Sequence, residues 1–300
     1  MSHFTVLVVG ENPEEQLAPY QENNMGDCPK QYLKFFDQEQ EFQDEWKNKK
    51  TKAVLVDGKY LFPWDEKFRV SGKFGYGTDT HKVPDHLKIE EVPFNKIYSS
   101  FTQFVHKYHS REHRDKEKNR YGYWENPNAK WDGYTLGGRW TGFFKLKPGK
   151  DGVIGKKSWT NESKEIEKDR VDQARKKDID FAGMVKANRD KAIKNYEEFE
   201  ALMKSNPEKA AMESYWKWGI ENKGDKDNYV PESREEYVTF NTMPTTFAVL
   251  KDGKWYEKGN MGWWAIVSNE KDPNEWTTEF CKMIDELPED TLLSVVDCHI

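Results

Sequence analysis

Cysteine is scarce. The 300 residues contain three, Cys28, Cys281 and Cys298, too few and too widely spaced for a disulfide framework. Long apolar runs are missing too: none approaches the roughly 18 residues that a membrane span needs. The N-terminus has no basic region followed by an apolar stretch, so a Sec-type leader is not expected. An integral membrane or Sec-secreted protein is therefore not expected, and a cytoplasmic setting is. The metalloprotease pattern HExxH, paired CxxC motifs, the P-loop and the dinucleotide fingerprint are all absent. Hydrophobic residues reach only 36% and charged residues 33%, with a mean hydropathy of −1.01. Those values alone would describe a disordered chain. The rings argue otherwise. Twelve Trp, 14 Tyr and 17 Phe indicate a folded protein whose core is built from few, large side chains.

The net charge of −6 is unevenly spread. Residues 1–46 carry ten acids against Lys30 and Lys34, whereas residues 105–195 carry 23 Lys and Arg against 14 Asp and Glu. The basic groups are interleaved with acids, so mutual attraction of the two parts within a fold or oligomer explains them as well as a phosphate-binding face does. Ser2–Val9 reads as a buried strand and Thr291–Cys298 as another. Asp57-Gly58 and Asp252-Gly253 mark tight hairpin turns. Asp180–Ser205 has the spacing of an amphipathic helix, Asn206-Pro207 opens a second, and a third follows Ser233. Tyr98–Glu112 and Asp272–Leu287 also read as helices, and Gly262–Val267 as a strand. The order predicts an α+β fold: a ferredoxin-like antiparallel sheet that pairs the N- and C-terminal strands and carries a large, mostly helical insertion. Residues 1–159 with 243–300 would form the sheet domain, and residues 160–242 the helical insertion.

Tyr121–Phe144, YGYWENPNAKWDGYTLGGRWTGFF, is the most distinctive segment. Gly137-Gly138 permits close backbone approach, and Arg139 offers a planar fork of donors for carboxylate or phosphate. One reading makes Trp131, Asp132, Tyr134, Gly137, Gly138, Arg139 and Trp140 a ligand or partner pocket. The other makes the Trp residues core, the glycines a bulge, and Arg139 the partner of Asp132 or Glu125. Consecutive Trp263 and Trp264 would place one ring away from the covered side of a strand, against the insertion or in an exposed patch. His106, His109 and His113 share one side of a helix, a spacing zinc can use, but Arg111, Arg114 and Lys116 oppose a cation and a solvated polar face fits better. No metal or other cofactor is expected. The loop Gly72–Gly77 resembles a phosphate-binding loop in composition only. Cys298 beside Asp297 and His299 suggests nucleophilic catalysis, yet adjacent strand residues point to opposite faces and cannot form a triad without a bend.

At Tyr121–Phe144 and at both ends (MSHFTVLVVGENPEEQLAPYQENN and KDGKWYEKGNMGWWAIVSNEKD…LPEDTLLSVVDCHI) the chain resembles a family of proteins encoded by bacteriophages and other mobile elements. WDGYTLGGRW is also loosely similar to a Trp-Gly-Lys-Trp-Asp-type motif of ferredoxin-like phage proteins. The resemblance transfers no catalytic residue. It implies an accessory protein in the host cytoplasm that binds a host protein, one version being inhibition of a bacterial anti-phage defence complex. The competing expectation is an enzyme or sensor for a nucleotide or nucleic acid, built on the Trp/Gly/Arg segment. No membrane partner is expected, and self-association is compatible with either.

Overall fold

The computed structural model describes residues 2–70, 80–110, 114–163, 165–225, 229–262, 264 and 266–300. The chain divides into two compact units, Met1–Pro29 with Asn128–Ile300, and Lys30–Pro127. No helix among the described residues is long and apolar enough to cross a membrane.

The first unit is built on a seven-stranded sheet. Its strands are β1 (His3–Val9), β2 (Gly133–Gly138), β3 (Lys156–Lys157), β4 (Gln173–Arg175), β5 (Ala248–Lys251), β6 (Lys254–Glu257) and β7 (Leu292–His299). They lie in the order β3-β2-β7-β1-β5-β6, with β4 also pairing β7. The expected antiparallel pairing of the two end strands is present, from His3 opposite His299 to Val9 opposite Leu293. The sheet is mixed, however, because β1 runs parallel to β5, with Val6 opposite Ala248. Parallel neighbours need a long crossover, and the excursion from Val9 to Ala248 supplies one.

Both faces of this sheet are covered, which is why β1 and β7 read as nearly continuous apolar runs. Side chains two apart along a strand share a face. Leu7, Val9, Val249, Leu293 and Val295 pack under Trp276, Phe280, Met283 and Ile284. Phe4, Val6, Val8, Leu250, Val296 and Cys298 pack on the other face with Leu17 and Trp131. The indole of Trp276 donates to the carbonyl of Thr246 at 2.9 Å, so burying its polar atom costs little.

The helices begin where capping chemistry places them. In the long helix α1 (Phe181–Ser205), the Asp180 carboxylate accepts the Gly183 N–H at 2.9 Å. Helix α2 (Pro207–Glu213) starts with proline, and Asn206 accepts the Lys209 N–H at 3.1 Å. Helix α3 (Arg234–Thr242) has a reciprocal cap between Ser233 and Glu236. Helix α4 (Pro273–Asp285) carries the Trp276 face. Asn206→Ala should cost about 1 kcal/mol, the usual value of a lost N-cap. A lowered urea midpoint at unchanged slope would register it.

The helical segment has a core of its own, formed by Tyr196, Phe199, Trp218, Ile220 and Tyr237. The compact units nevertheless do not follow the expected boundaries at 160 and 242. Met184 and Phe181, at the start of α1, pack into the sheet's core and tie the helices to it. The division falls instead around residues 30–127. That unit has two three-stranded sheets, and its core is nearly all rings: Phe42, Phe94, Tyr98, Phe104 and Tyr121, with Val105. Phe94 alone lies within 5.1 Å of Phe104 and 4.4 Å of Tyr108 between ring centroids. Here the aromatic surplus substitutes for the missing aliphatic residues.

Candidate functional site

The distinctive Tyr121–Phe144 segment does not form one pocket. Tyr121 to Pro127 belong to the second unit and the remainder to the first. Along β2, alternation then divides what is left. Tyr134 and Leu136 pair with Cys298 and Val296, on the face packed by Trp131. Trp131 is buried, donates its indole N–H to the Leu17 carbonyl at 3.1 Å, and meets Tyr134 edge to face. Burial, and then the nearby Glu14 charge, push the Tyr134 hydroxyl above its ordinary value. Both rings serve the core. Gly133 and Thr135 pair with His299 and Asp297 on the opposite face.

That opposite face changes character along its length. Leu7 and Val295 are apolar and buried. Thr5 and Asp297 come next, directly paired, and His3 faces His299 at the end. The two imidazole centroids are 5.3 Å apart, with the rings inclined by 46°. His3 Nδ1 lies 2.8 Å from Asp297 Oδ1. His299 Nδ1 is in ion-pair contact with Asp132 Oδ1, and neither atom makes a hydrogen bond. A carboxylate oxygen only accepts, so His3 Nδ1 carries the hydrogen of its bond to Asp297. The Nε2 atoms make no hydrogen bond with any described residue. The neutral His3 ring thus presents a basic lone pair at Nε2, and either ring, when protonated, presents an N–H donor.

The two carboxylates are themselves fixed. Asp297 is nearly sealed, with 4% of its side chain exposed against 17% for His3 and 30% for His299. Its Oδ2 accepts the Arg139 backbone N–H at 2.9 Å. Asp132 Oδ2 accepts from Asn24 at 3.3 Å, while the Asp132 amide donates to the His299 carbonyl at 2.8 Å. The glycines make room for these groups. A Cβ on Gly133 would stand 2.4 Å from the His299 ring, and one on Gly138 would stand 2.4 Å from Asp297. Gly137, at φ +77°, is backed in the same way by the buried Asp172.

Several expectations are corrected by this geometry. Asp132 pairs with His299, not Arg139. Arg139 is exposed, and its guanidinium forms no ion pair among the described residues. Trp140 is half-buried beside it. Gly262–Val267 is not a strand: short strands at 260–261 and 267–268 leave Trp264 in the bend between them, at φ +63° and 83% exposed. Trp263 lies outside the described residues, as do the Gly72–Gly77 loop and His113. The helix expected to align the histidines runs from Phe101 to Phe104 and then widens into a π-helical turn over Val105–Ser110. Its two remaining histidines are engaged separately. His109 Nε2 meets Glu45 Oε2 at 2.7 Å while its ring stacks on Phe42, and His106 Nε2 meets the Tyr121 hydroxyl at 3.3 Å. No group of three or more His, Cys, Asp or Glu among the described residues is placed to hold a metal ion.

The residues missed in the sequence are His3, Asp297 and His299 acting together. The available signal was Asp297-x-His299, two apart and therefore on one face, on the strand expected to pair with that of His3. Cys298, between them, points into the other core, where burial holds its thiol well above the ordinary cysteine range. A cleft of about 640 Å³ lies elsewhere in the first unit, near Glu232 and Lys258. There Lys258 pairs with Glu270 at 2.6 Å, and Glu232 accepts the Glu221 N–H at 2.9 Å. Comparisons with protein-family models, with curated proteins and with solved structures return no match to this chain.

Proposed function

We propose that the protein is an acid–base catalyst for a small anionic substrate bound at the His3–His299 end of the sheet. The observation that supports this is the pair of imidazoles. Each is oriented through Nδ1 by its own carboxylate, and each keeps Nε2 free. A purely structural histidine is usually satisfied at both nitrogens or turned to solvent alone. Two that face each other across adjacent strands suit a reaction that removes one proton and returns another. The phage resemblance makes this an accessory activity exercised in a host cell.

A panel of p-nitrophenyl esters, comprising the acetate, the phosphate monoester and a phosphodiester, tests the reading. Turnover of at least one is expected, falling by ~10²–10⁴ in whichever of His3→Gln and His299→Gln removes the general base. A full panel without turnover by folded protein would overturn it.

A second reading, capture of a host protein, is supported by a different observation. Trp216 and Trp264 are 87% and 83% exposed, and exposed rings of this size are common anchors in interfaces. On that reading, Trp216→Ala weakens co-purification of a host protein and leaves ester turnover unaffected.

A further inference from the structure

The surroundings of the imidazole pair narrow the substrate. Strand β3 pairs in parallel with β2, setting Lys156 beside Gly137 and Lys157 beside Gly138. The following turn, Trp159–Asn161, is tied back to the same glycine. The Ser158 N–H donates to the Gly138 carbonyl at 3.2 Å. The Asn161 side-chain amide donates to the Gly138 and Arg139 carbonyls, each at 3.2 Å. This anchored turn nonetheless leaves the Trp159 ring 80% exposed. Arg139 and Lys156 are exposed, and neither side chain has an ion-pair partner among the described residues. Asp132 and Asp297 are already engaged by the histidines. Arg139, the β3 residue Lys156 and the turn carrying Trp159 thus belong to segments bonded to the Gly138–Arg139 turn, whose amide holds Asp297, and Asp297 holds His3.

We infer that the substrate is a nucleoside phosphodiester, with its base on Trp159, its phosphate against Arg139 and Lys156, and its hydrolysis carried by His3 and His299. This rests on the acid–base reading above and adds the substrate class. A stacked base accounts for the exposed indole, and a phosphate accounts for the free guanidinium. In-line displacement at phosphorus explains why two imidazoles are present rather than one: the attacking and leaving oxygens lie on opposite sides of the phosphorus. One neutral Nε2 takes a proton from water as the new P–O bond forms. The other ring, protonated, gives its Nε2 proton to the departing alkoxide as the old P–O bond breaks. The products are a phosphomonoester and an alcohol. The rings end with their protonation states exchanged, and solvent restores them.

The test uses the full chain with three probes: the p-nitrophenyl ester of thymidine 5′-phosphate, methyl p-nitrophenyl phosphate, and the dinucleotide TpT. The nucleotide ester should be preferred over the methyl ester by about tenfold in kcat/KM, the order given by one base–aromatic stack. Trp159→Ala should abolish that preference, and Arg139→Ala should raise KM. p-Nitrophenolate leaves without needing a proton, so one of His3→Gln and His299→Gln should retain the ester reaction while both lose TpT cleavage. Equal kcat/KM for the two esters, with Trp159→Ala lowering both alike, overturns the nucleotide assignment and leaves the acid–base reading standing. No turnover of either ester, together with an inert panel of simple esters, overturns both.

Discussion

Replacing Asp172 by alanine is expected to cost about 3–5 kcal/mol of folding stability. Asp172 is fully buried. Its Oδ1 accepts the backbone N–H groups of Gly142 at 2.7 Å and Phe143 at 3.2 Å, and its Oδ2 accepts that of Gly155 at 2.8 Å. One carboxylate thus satisfies three amides of two loops that have few alternatives. Each orphaned buried donor costs about 1–3 kcal/mol, and relief of the buried charge returns part of the sum. Asp172→Asn keeps the shape but turns an NH₂ group toward a donor, and should fall between the two. Chemical denaturation monitored by fluorescence provides the measurement; a loss below about 1 kcal/mol for alanine would show that the loops repack without the carboxylate.

The same residue predicts a pH dependence. Burial raises the Asp172 carboxyl above its ordinary value, and the three amides lower it by less. A carboxyl raised in the folded state binds its proton more tightly folded than unfolded. Its contribution to stability is therefore greatest below the unfolded value of about 3.9 and is lost as pH rises through the folded value. The stability of the wild type relative to Asp172→Asn should decline over that interval. A difference that stays flat with pH would contradict the assignment.

The second large effect is expected for Gly138→Ala. At φ +54° an alanine pays about 1–2 kcal/mol for the left-handed conformation alone. Its Cβ would also stand 2.4 Å from both Cβ and Oδ2 of Asp297. That carboxylate cannot retreat without releasing the Arg139 amide and His3, so the total should reach about 3–4 kcal/mol. Gly253→Ala is the control. Gly253 has φ +68° with nothing within 4 Å of the added carbon, so it reports the backbone strain by itself. Comparable losses at the two positions would mean that the Asp297 contact carries no energy. A larger loss at Gly138, accompanied by altered imidazole resonances of His3, would show that the glycine shapes the site.

The parts of the fold legible in the sequence are those in which local chemistry and tertiary packing agree. β1 and β7 are covered on both faces and so read as unbroken apolar runs. Asp57-Gly58 and Asp252-Gly253 take the left-handed values that tight hairpins require, with Asp57 at φ +49° and Asp252 at +53°. Asp180, Asn206 and Ser233 begin helices because their side chains accept the first free amides. The parts that were not legible depend on register. WDGYTLGGRW looks like one cluster in the sequence, but a two-residue period distributes its rings and its polar groups to opposite faces. The alternation that argues against Cys298 as the partner of its neighbours also places Asp297 and His299 together. Finding His3 opposite them needs the strand register, which composition does not supply. The unit at 30–127 is hidden for a related reason. Its borders carry no distinct linker composition, and its core is made of rings spaced irregularly along the chain.

The joining of β1 to β7 also has a consequence for the order in which the protein is made. Roughly 280 residues separate these strands, and at about 5–20 residues per second the ribosome needs ~15–60 s to traverse them. For most of that interval β1 has emerged with neither β5 nor β7 to pair with, an unprotected apolar edge of the kind that invites aggregation or chaperone capture. His3 is equally without His299. On the acid–base reading, the imidazole pair exists only once β7 has joined β1.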